Sequence, residues 1–444
     1  MGMRFGFERG IDFTRMQTEN RSYTMVLPVR HFRLDETHVA VESAFAEHLR
    51  MMRRRIGSDA QSLVIASPSM TPAAFEAGKR GFSILNERDE QISFCTLFAD
   101  LDATSMAKKL KLFFPLMWQL SALAKASVCI HSGLSWDVWL PFEFASIVFG
   151  LLHGRRTVFV VDIDYRKSAE MSYRTGEWSR RSYLFCKYVY DTARSVQVSV
   201  AARYCSLVLL KGRKMAEDFG HGRPNVKAFL DASHGEKNII DRESAARKLA
   251  AVRDPAQPLR LVYFGRLTAY KGIDRCVRAV ALARKNATNI TFDIIGGGDQ
   301  AEALQALARE LGAEDFVTFH GPMPFTQEFF QTLYTFHLLL AAPLREDTPR
   351  SALDAMAAGI PYLSFDTYYY RELLESGAGR VVPWLDVEAM ARMIEHLSAH
   401  REELAAMSES AISFAHANTQ EIWLERRTAW TLASGLQQEH IHVV

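Results

Sequence analysis

LRLVYFGRLTAYKG, Leu259 to Gly272, is an apolar β-type run that passes straight into a short loop bounded by glycines and carrying two cations. Gly265 ends the run and lets a ligand approach the backbone. Arg266 and Lys271 follow within six residues, and two cations just past a strand end suit a diphosphate. On these residues alone, a solvated loop with ordinary surface charges is an equal reading. Four more runs of the same kind come after it: ITFDIIG (Ile290 to Gly296), FVTFHG (Phe316 to Gly321), HLLLAAP (His337 to Pro343) and PYLSFD (Pro361 to Asp366). Each leads into a helical pattern, so the segment reads as an α/β domain with a doubly wound parallel sheet.

The chain upstream has the same rhythm. YTMVL (Tyr23 to Leu27), LVIAS (Leu63 to Ser67), SVCIH (Ser127 to His131), TVFVV (Thr157 to Val161) and SLVLL (Ser206 to Leu210) alternate with amphipathic stretches such as 38–55 and 138–153. The organisation expected is a tail over 1–20 and a Rossmann-like domain over 21–235. A polar linker follows over 236–257, then a second Rossmann-like domain over 258–410. A terminal helix over 411–444 packs back on the first domain. Two such domains leave a cleft between them, and ligands of open α/β sheets bind at the carboxyl ends of the strands.

The bulk properties agree with a folded two-domain chain. Its 444 residues are 48% hydrophobic and 23% charged, with a net charge of +2 that argues against a dedicated nucleic-acid binder. The charge is unevenly placed: residues 1–230 hold 32 Lys and Arg against 23 acids, whereas the remainder holds 21 against 28. The five cysteines are scattered without paired spacing, which fits a reducing compartment and no structural metal. The first 20 residues lack the apolar core of a signal peptide, and no apolar run is long enough to span a bilayer. The reading is a cytoplasmic protein, peripheral to the inner face of the membrane if its acceptor is lipid-linked.

Two further segments carry chemistry. IIGGGDQ (Ile294 to Gln300) puts Gly297 and Gly298 in a tight turn whose backbone N–H groups suit an anion. REDTPRSALDAMAAGIP (Arg345 to Pro361) contains a helix with Thr348 as the expected N-cap and Pro349 as the expected first residue. The start of that helix, with Ser351, is a natural phosphate seat. Glu346 and Asp354 flank it, one suited to sugar hydroxyls and the other to a ribose. Acid pairs at this spacing arise by chance in a chain with 51 acids, so the capped helix and its place after a strand carry the inference.

As a set, GRL-x3-KG at Gly265 to Gly272, Glu346 with Asp354 eight residues on, and the following AMAAGIP resemble the donor half of retaining GT-B glycosyltransferases of family 4, glycosyl transferases group 1. The likeness covers about residues 258–400. It implies a hexosyltransferase that uses a nucleoside-diphosphate sugar such as a UDP- or GDP-sugar, with no cofactor or metal. Arg266 and Lys271 would bind the diphosphate, Glu346 the sugar and Asp354 the ribose, while His320 to Met323 would meet the base. The acceptor expected is a glycan or lipid-linked glycan, as in surface polysaccharide assembly. Two alternatives stay open: a catalytically silent GT-B partner subunit, and another sugar-nucleotide enzyme on the same fold.

The chain departs from the family in places. Asp354 stands for a glutamate, and Tyr368, Tyr369 and Tyr370 add bulk after PYLSFD. The first domain has PVRHFRLDETH (Pro28 to His38) where the family has a glycine-rich loop, and VVDIDYRK where it has a histidine. Asp162 is the candidate acceptor-side base, with Asp164 and His131 as weaker ones. AKKLKLFFPLMWQL (Ala107 to Leu120) mixes lysines with aromatics and suits either an anionic membrane surface or an amphipathic helix whose aromatics enter the core.

Overall fold

Three sheets organise the chain in a computed structural model, which describes residues 22–436 apart from 57–59, 61, 100–102, 287 and 288. The expected tail over 1–20 lies outside the described residues. The first sheet has seven parallel strands: β1 (Ser22–Val26), β4 (Ser62–Ser69), β6 (Ile92–Ala99), β7 (Ser127–Gly133), β8 (Arg156–Val161), β9 (Leu207–Lys211) and β10 (Val226–Phe229). Their spatial order is β10-β9-β8-β7-β1-β4-β6, so the winding reverses at β1, between β7 and β4. A small antiparallel sheet of β2 (Phe32–Arg33), β3 (His38–Glu42) and β5 (Phe82–Asn86) lies beside it.

The second sheet has six parallel strands: β11 (Leu259–Phe264), β12 (Ile290–Ile295), β13 (Val317–Gly321), β14 (Leu338–Ala341), β15 (Tyr362–Phe365) and β16 (Gly379–Val382). Its order is β13-β12-β11-β14-β15-β16, which puts the switch point between β11 and β14. The strands are buried on both faces, as parallel strands covered by helices must be. Leu261, Phe292, Leu340 and Leu363 pack with Ile273, Val277 and Ile394 on one side. Val262, Leu339 and Tyr362 pack with Leu353 and Met356 on the other.

The predicted stretch 38–55 splits. HVAVE alternates and forms β3, and only Ser43–Ile56 is helical. β6, β10 and β16 and the small antiparallel sheet were not anticipated. The expected linker is itself ordered: Asp241 caps a helix over Arg242–Arg253 through Ser244 N at 2.9 Å. The expected terminal helix is broken at Asn418, between helices Arg401–Ala417 and Gln420–Leu436. The last of these lies against the helix Ser43–Ile56 and strands β8 and β9 of the first sheet.

One backbone contact fixes the switch point. Gly272 adopts φ 63°, and a Cβ there would fall 1.9 Å from the carbonyl oxygen of Ala342. Only glycine permits that approach of the loop after β11 to the end of β14. Gly272→Ala therefore costs about 2 kcal/mol or more, from left-handed strain plus the collision. Thermal denaturation checks this as a clear drop in the melting temperature of the second domain.

Candidate functional site

The loops that follow β11 and β14 converge at the carboxyl end of the second sheet. The Tyr270 carbonyl accepts from Leu344 N at 2.8 Å, which joins them. They border a pocket lined by Lys271, Asp347, Thr348, Ser351 and Tyr370. The helix Arg350–Ala357 opens on this pocket, and the Ser351 hydroxyl lies close to Gly265. The structure thus brings Gly265, Lys271, Thr348 and Ser351 together. Arg266 is exposed on the same loop, with its carbonyl held by the Tyr263 hydroxyl at 2.9 Å. The N-cap is Pro349, not Thr348, and no side chain caps the first turn. The free N–H groups at this end therefore remain for an anion.

Lys271 does not stand alone. Its ammonium pairs with the Asp347 carboxylate, a residue the sequence reading passed over. Arg345 sits 4.2 Å over the ring of Tyr270 on the outer side of the same loop. The signal for Asp347 was present in its spacing from the β14 end, but its partner lies 76 positions away.

Glu346 is buried beside the pocket. Both its oxygens accept from Tyr368 N, at 3.0 and 3.1 Å. Burial pushes its carboxyl up to about 7 despite that hydrogen bond, and the nearby Asp164 adds to the rise. Asp354 behaves differently from the ribose ligand expected. It is buried, and its Oδ1 accepts from Ser233 N and His234 N, both at 2.9 Å, with His234 Nδ1 at 3.3 Å. A carboxylate on the inner face of a helix end finds the nearest unpaired backbone donors, and here the chain crossing between the domains supplies them.

The glycine run also has a structural task. A Cβ at Gly298 would lie 2.3 Å from the Leu267 carbonyl, and the Gly297 carbonyl accepts from Leu267 N at 2.9 Å. These glycines brace the loop that carries Arg266. His320 is held by Asp293 at 2.6 Å, and Met323 is exposed at the rim beyond β13.

On the first domain, Asp162 is exposed just past the end of β8. Asp164 is buried and spends its carboxylate on Arg166, which also reaches Asp218 at 2.6 Å. That engagement is at odds with a free base. His131 is buried within β7, with Nδ1 2.7 Å from the Tyr23 hydroxyl, and burial lowers it to about 3. It is a satisfied interior histidine and does not face the cleft.

The two carboxyl ends meet through the tyrosine segment. Tyr369 Oη accepts from Asp164 N at 2.8 Å, and Lys167 lies 4.2 Å over the Tyr368 ring. Glu372 accepts from Arg213 N and Lys214 N at 2.8 and 2.7 Å, so it serves the start of a helix in the opposite domain. Tyr370 turns inward and lines the pocket. The bulk noted in the sequence is thus divided: one ring narrows the pocket and two join the domains.

With this geometry in place, the sequence profile of the family described as Glycosyl transferases group 1 matches residues 246–414. That span is similar to the glycosyl transferases group 1 family over somewhat more than a third of the chain. A similar relative is the GtfA subunit of a UDP-N-acetylglucosamine–peptide N-acetylglucosaminyltransferase from Streptococcus gordonii, 27% identical over 160 residues. The match covers 32% of this chain and 31% of the relative, so the chain spans less than a third of that relative's length. Anabaena HepE, solved in complex with UDP, superposes with a TM-score of 0.60 at 16% identity over 93% of this chain and 100% of its own. WaaG, a glycosyltransferase involved in lipopolysaccharide biosynthesis, does so with a TM-score of 0.59 at 14% identity, over 91% and 98%. The matched span therefore forms the second half of a GT-B fold.

The raised Glu346 carboxyl gives a pH prediction. Between its ordinary 4.5 and about 7 the folded chain holds a proton that the unfolded chain has released. Stability then falls as pH rises through that window. Glu143, also lifted to about 7 by burial, acts in the same direction. Glu346→Gln removes one of the two contributions. Its melting temperature relative to that of the unaltered chain should rise from about pH 5 to about pH 8, whatever the buried histidines contribute to both.

Proposed function

We propose that this protein transfers a hexose-type sugar from a nucleoside-diphosphate sugar to a glycan or lipid-linked glycan acceptor, with retention at the anomeric carbon. The observation that carries this reading is the placement of Lys271, and of Arg266 on the same loop, beside the uncapped start of the Arg350–Ala357 helix. Fixed cations and N–H dipoles aimed at one point suit a pyrophosphate that gains charge as it departs, and such preorganised charge is a large catalytic term. In this reading they carry the charge of the leaving group without a metal. The relative's UDP-N-acetylglucosamine and the UDP bound to HepE are both nucleotides of that class.

The reaction is balanced within the cleft. The bond from the anomeric carbon to the diphosphate oxygen breaks. The acceptor oxygen bonds to that carbon on the same face, and its proton passes to the departing phosphate oxygen. In this reading Glu346, next to the pocket residue Asp347, meets the sugar, and its raised carboxyl can donate to as well as accept from a hydroxyl near neutral pH. In this reading Asp162, exposed just past the end of β8, is the acceptor-side group.

One observation favours a second reading, a catalytically silent partner subunit: Asp347 already neutralises Lys271. Under the transferase reading, Asp347→Asn frees the cation and strengthens UDP or GDP binding in a thermal-shift titration. Under the silent reading it creates no nucleotide response.

The main test is kinetic. Lys271→Ala and Arg266→Ala should each lower kcat/KM for the nucleotide-sugar by about 10²–10³-fold with the fold intact by circular dichroism. Full activity in both variants removes the site assignment.

A further inference from the structure

Helix Met106–Ala126 has two apolar faces. Leu116, Leu120, Leu123 and Ala124 are buried against the first sheet, with Phe113 partly buried beside them. Met106, Leu110, Phe114 and Trp118 repeat every four residues on the other side and are 54%, 70%, 73% and 67% exposed. Spacing of four keeps side chains on one stripe of a helix. The aromatics of this segment thus divide, with one toward the core and two toward solvent. A contiguous exposed stripe of this size on a folded domain marks a contact surface.

The stripe does not end with its helix. Lys109 pairs with Asp137 at 2.5 Å, which ties the helix to the loop that exposes Trp136 and Trp139. Arg194 lies 4.5 Å over the Trp136 ring and 5.5 Å from Tyr190, which ties that loop to segment 180–190. There Phe185 and Tyr188 are exposed as well. All three elements follow the carboxyl ends of strands, after β6, β7 and β8, so the band borders the mouth of the cleft.

The charge around the band is mainly positive. Helix Met106–Ala126 carries four lysines and no acid, residues 180–190 carry two arginines and a lysine and no acid, and the acid between the tryptophans, Asp137, is paired with Lys109. Exposed rings amid a net positive charge match the boundary between acyl chains and anionic headgroups. Among the described residues no helix is long and apolar enough to cross a membrane, so the contact is interfacial.

We infer that the Met106–Trp118 stripe, continued by Trp136, Trp139 and Tyr188, docks the first domain on an anionic lipid bilayer with the cleft mouth at the headgroup level. The inference rests on the lipid-linked branch of the acceptor reading above, and it makes the bilayer the place where acceptor is met. Association is electrostatic at long range and hydrophobic at contact, so added salt weakens it.

The test is co-sedimentation of the full chain with vesicles of phosphatidylglycerol and phosphatidylcholine, or of phosphatidylcholine alone. The expected result is binding to the anionic vesicles, weaker by about tenfold on neutral ones and in high salt. Leu110→Ser with Phe114→Ser should lower anionic binding by about tenfold, and Lys111→Glu should lower it with no apolar group altered. The inference is overturned by absence of binding to anionic vesicles, or by variants that bind as well as the parent. It is also overturned if the parent is a dimer in vesicle-free solution that both variants break, since the band would then cover a second copy. Nucleotide-sugar thermal shifts on the same samples separate the two readings. Vesicle binding with no nucleotide response removes the transferase alone, and nucleotide response without vesicle binding removes the docking face alone.

Discussion

The approach of Gly272 to the Ala342 carbonyl is the contact on which the second domain's chemistry depends. A parallel sheet that reverses its winding leaves a crevice between the two strands at the reversal, here β11 and β14. The crevice becomes a site only if the loops after those strands come close enough to share a ligand. Gly272 permits this on one side, and Gly296 on the other, where a Cβ would collide with the Gly265 carbonyl at 1.9 Å. The loop with Arg266 and Lys271 is held from both flanks by backbone. Its cations are therefore placed by the sheet and not by side-chain packing.

What lay on the page as sequence was the part that depends on local order. Strands buried on both faces read as apolar runs, and the residues directly after them are where a doubly wound sheet puts its ligands, so Lys271, Ser351 and Glu346 could be singled out. Residues whose role depends on a distant partner could not. Asp354 sits at the spacing of a ligand, yet its carboxylate is taken by Ser233 and His234, some 120 positions back. His131 ends a strand-like run, but its partner Tyr23 is on a strand joined to it only by the sheet. The linker expectation failed for a related reason. Residues 242–253 are polar because one face is solvated, while Lys248 and Val252 on the other face are buried.

The tyrosine segment shows how an irregular sequence feature acquires meaning. Three consecutive bulky residues at a site favouring small ones look like an obstruction. In the fold they point in different directions from a short helix, Tyr368–Glu372. Tyr369 reaches Asp164, Glu372 caps the opposite helix, and Tyr370 closes the pocket wall. The same five residues therefore shape the pocket and join the two domains. A substitution there should alter both together.

The chain passes between the domains twice, at residues 231–239 and again at 417–420, and His234 and its neighbours fasten the passages. His234 Nε2 meets the Ala415 carbonyl at 3.3 Å, and the His234 carbonyl accepts from Gln420 N at 2.9 Å. Gly235 lies so close to Glu421 that any Cβ would strike its carboxylate at 2.4 Å. Two strands of backbone pinned side by side make a door hinge and not a ball joint. The halves can swing about the line through His234, but rolling or sliding past one another would tear those bonds. A swing about the line through His234 is the relative movement that would leave those bonds in place.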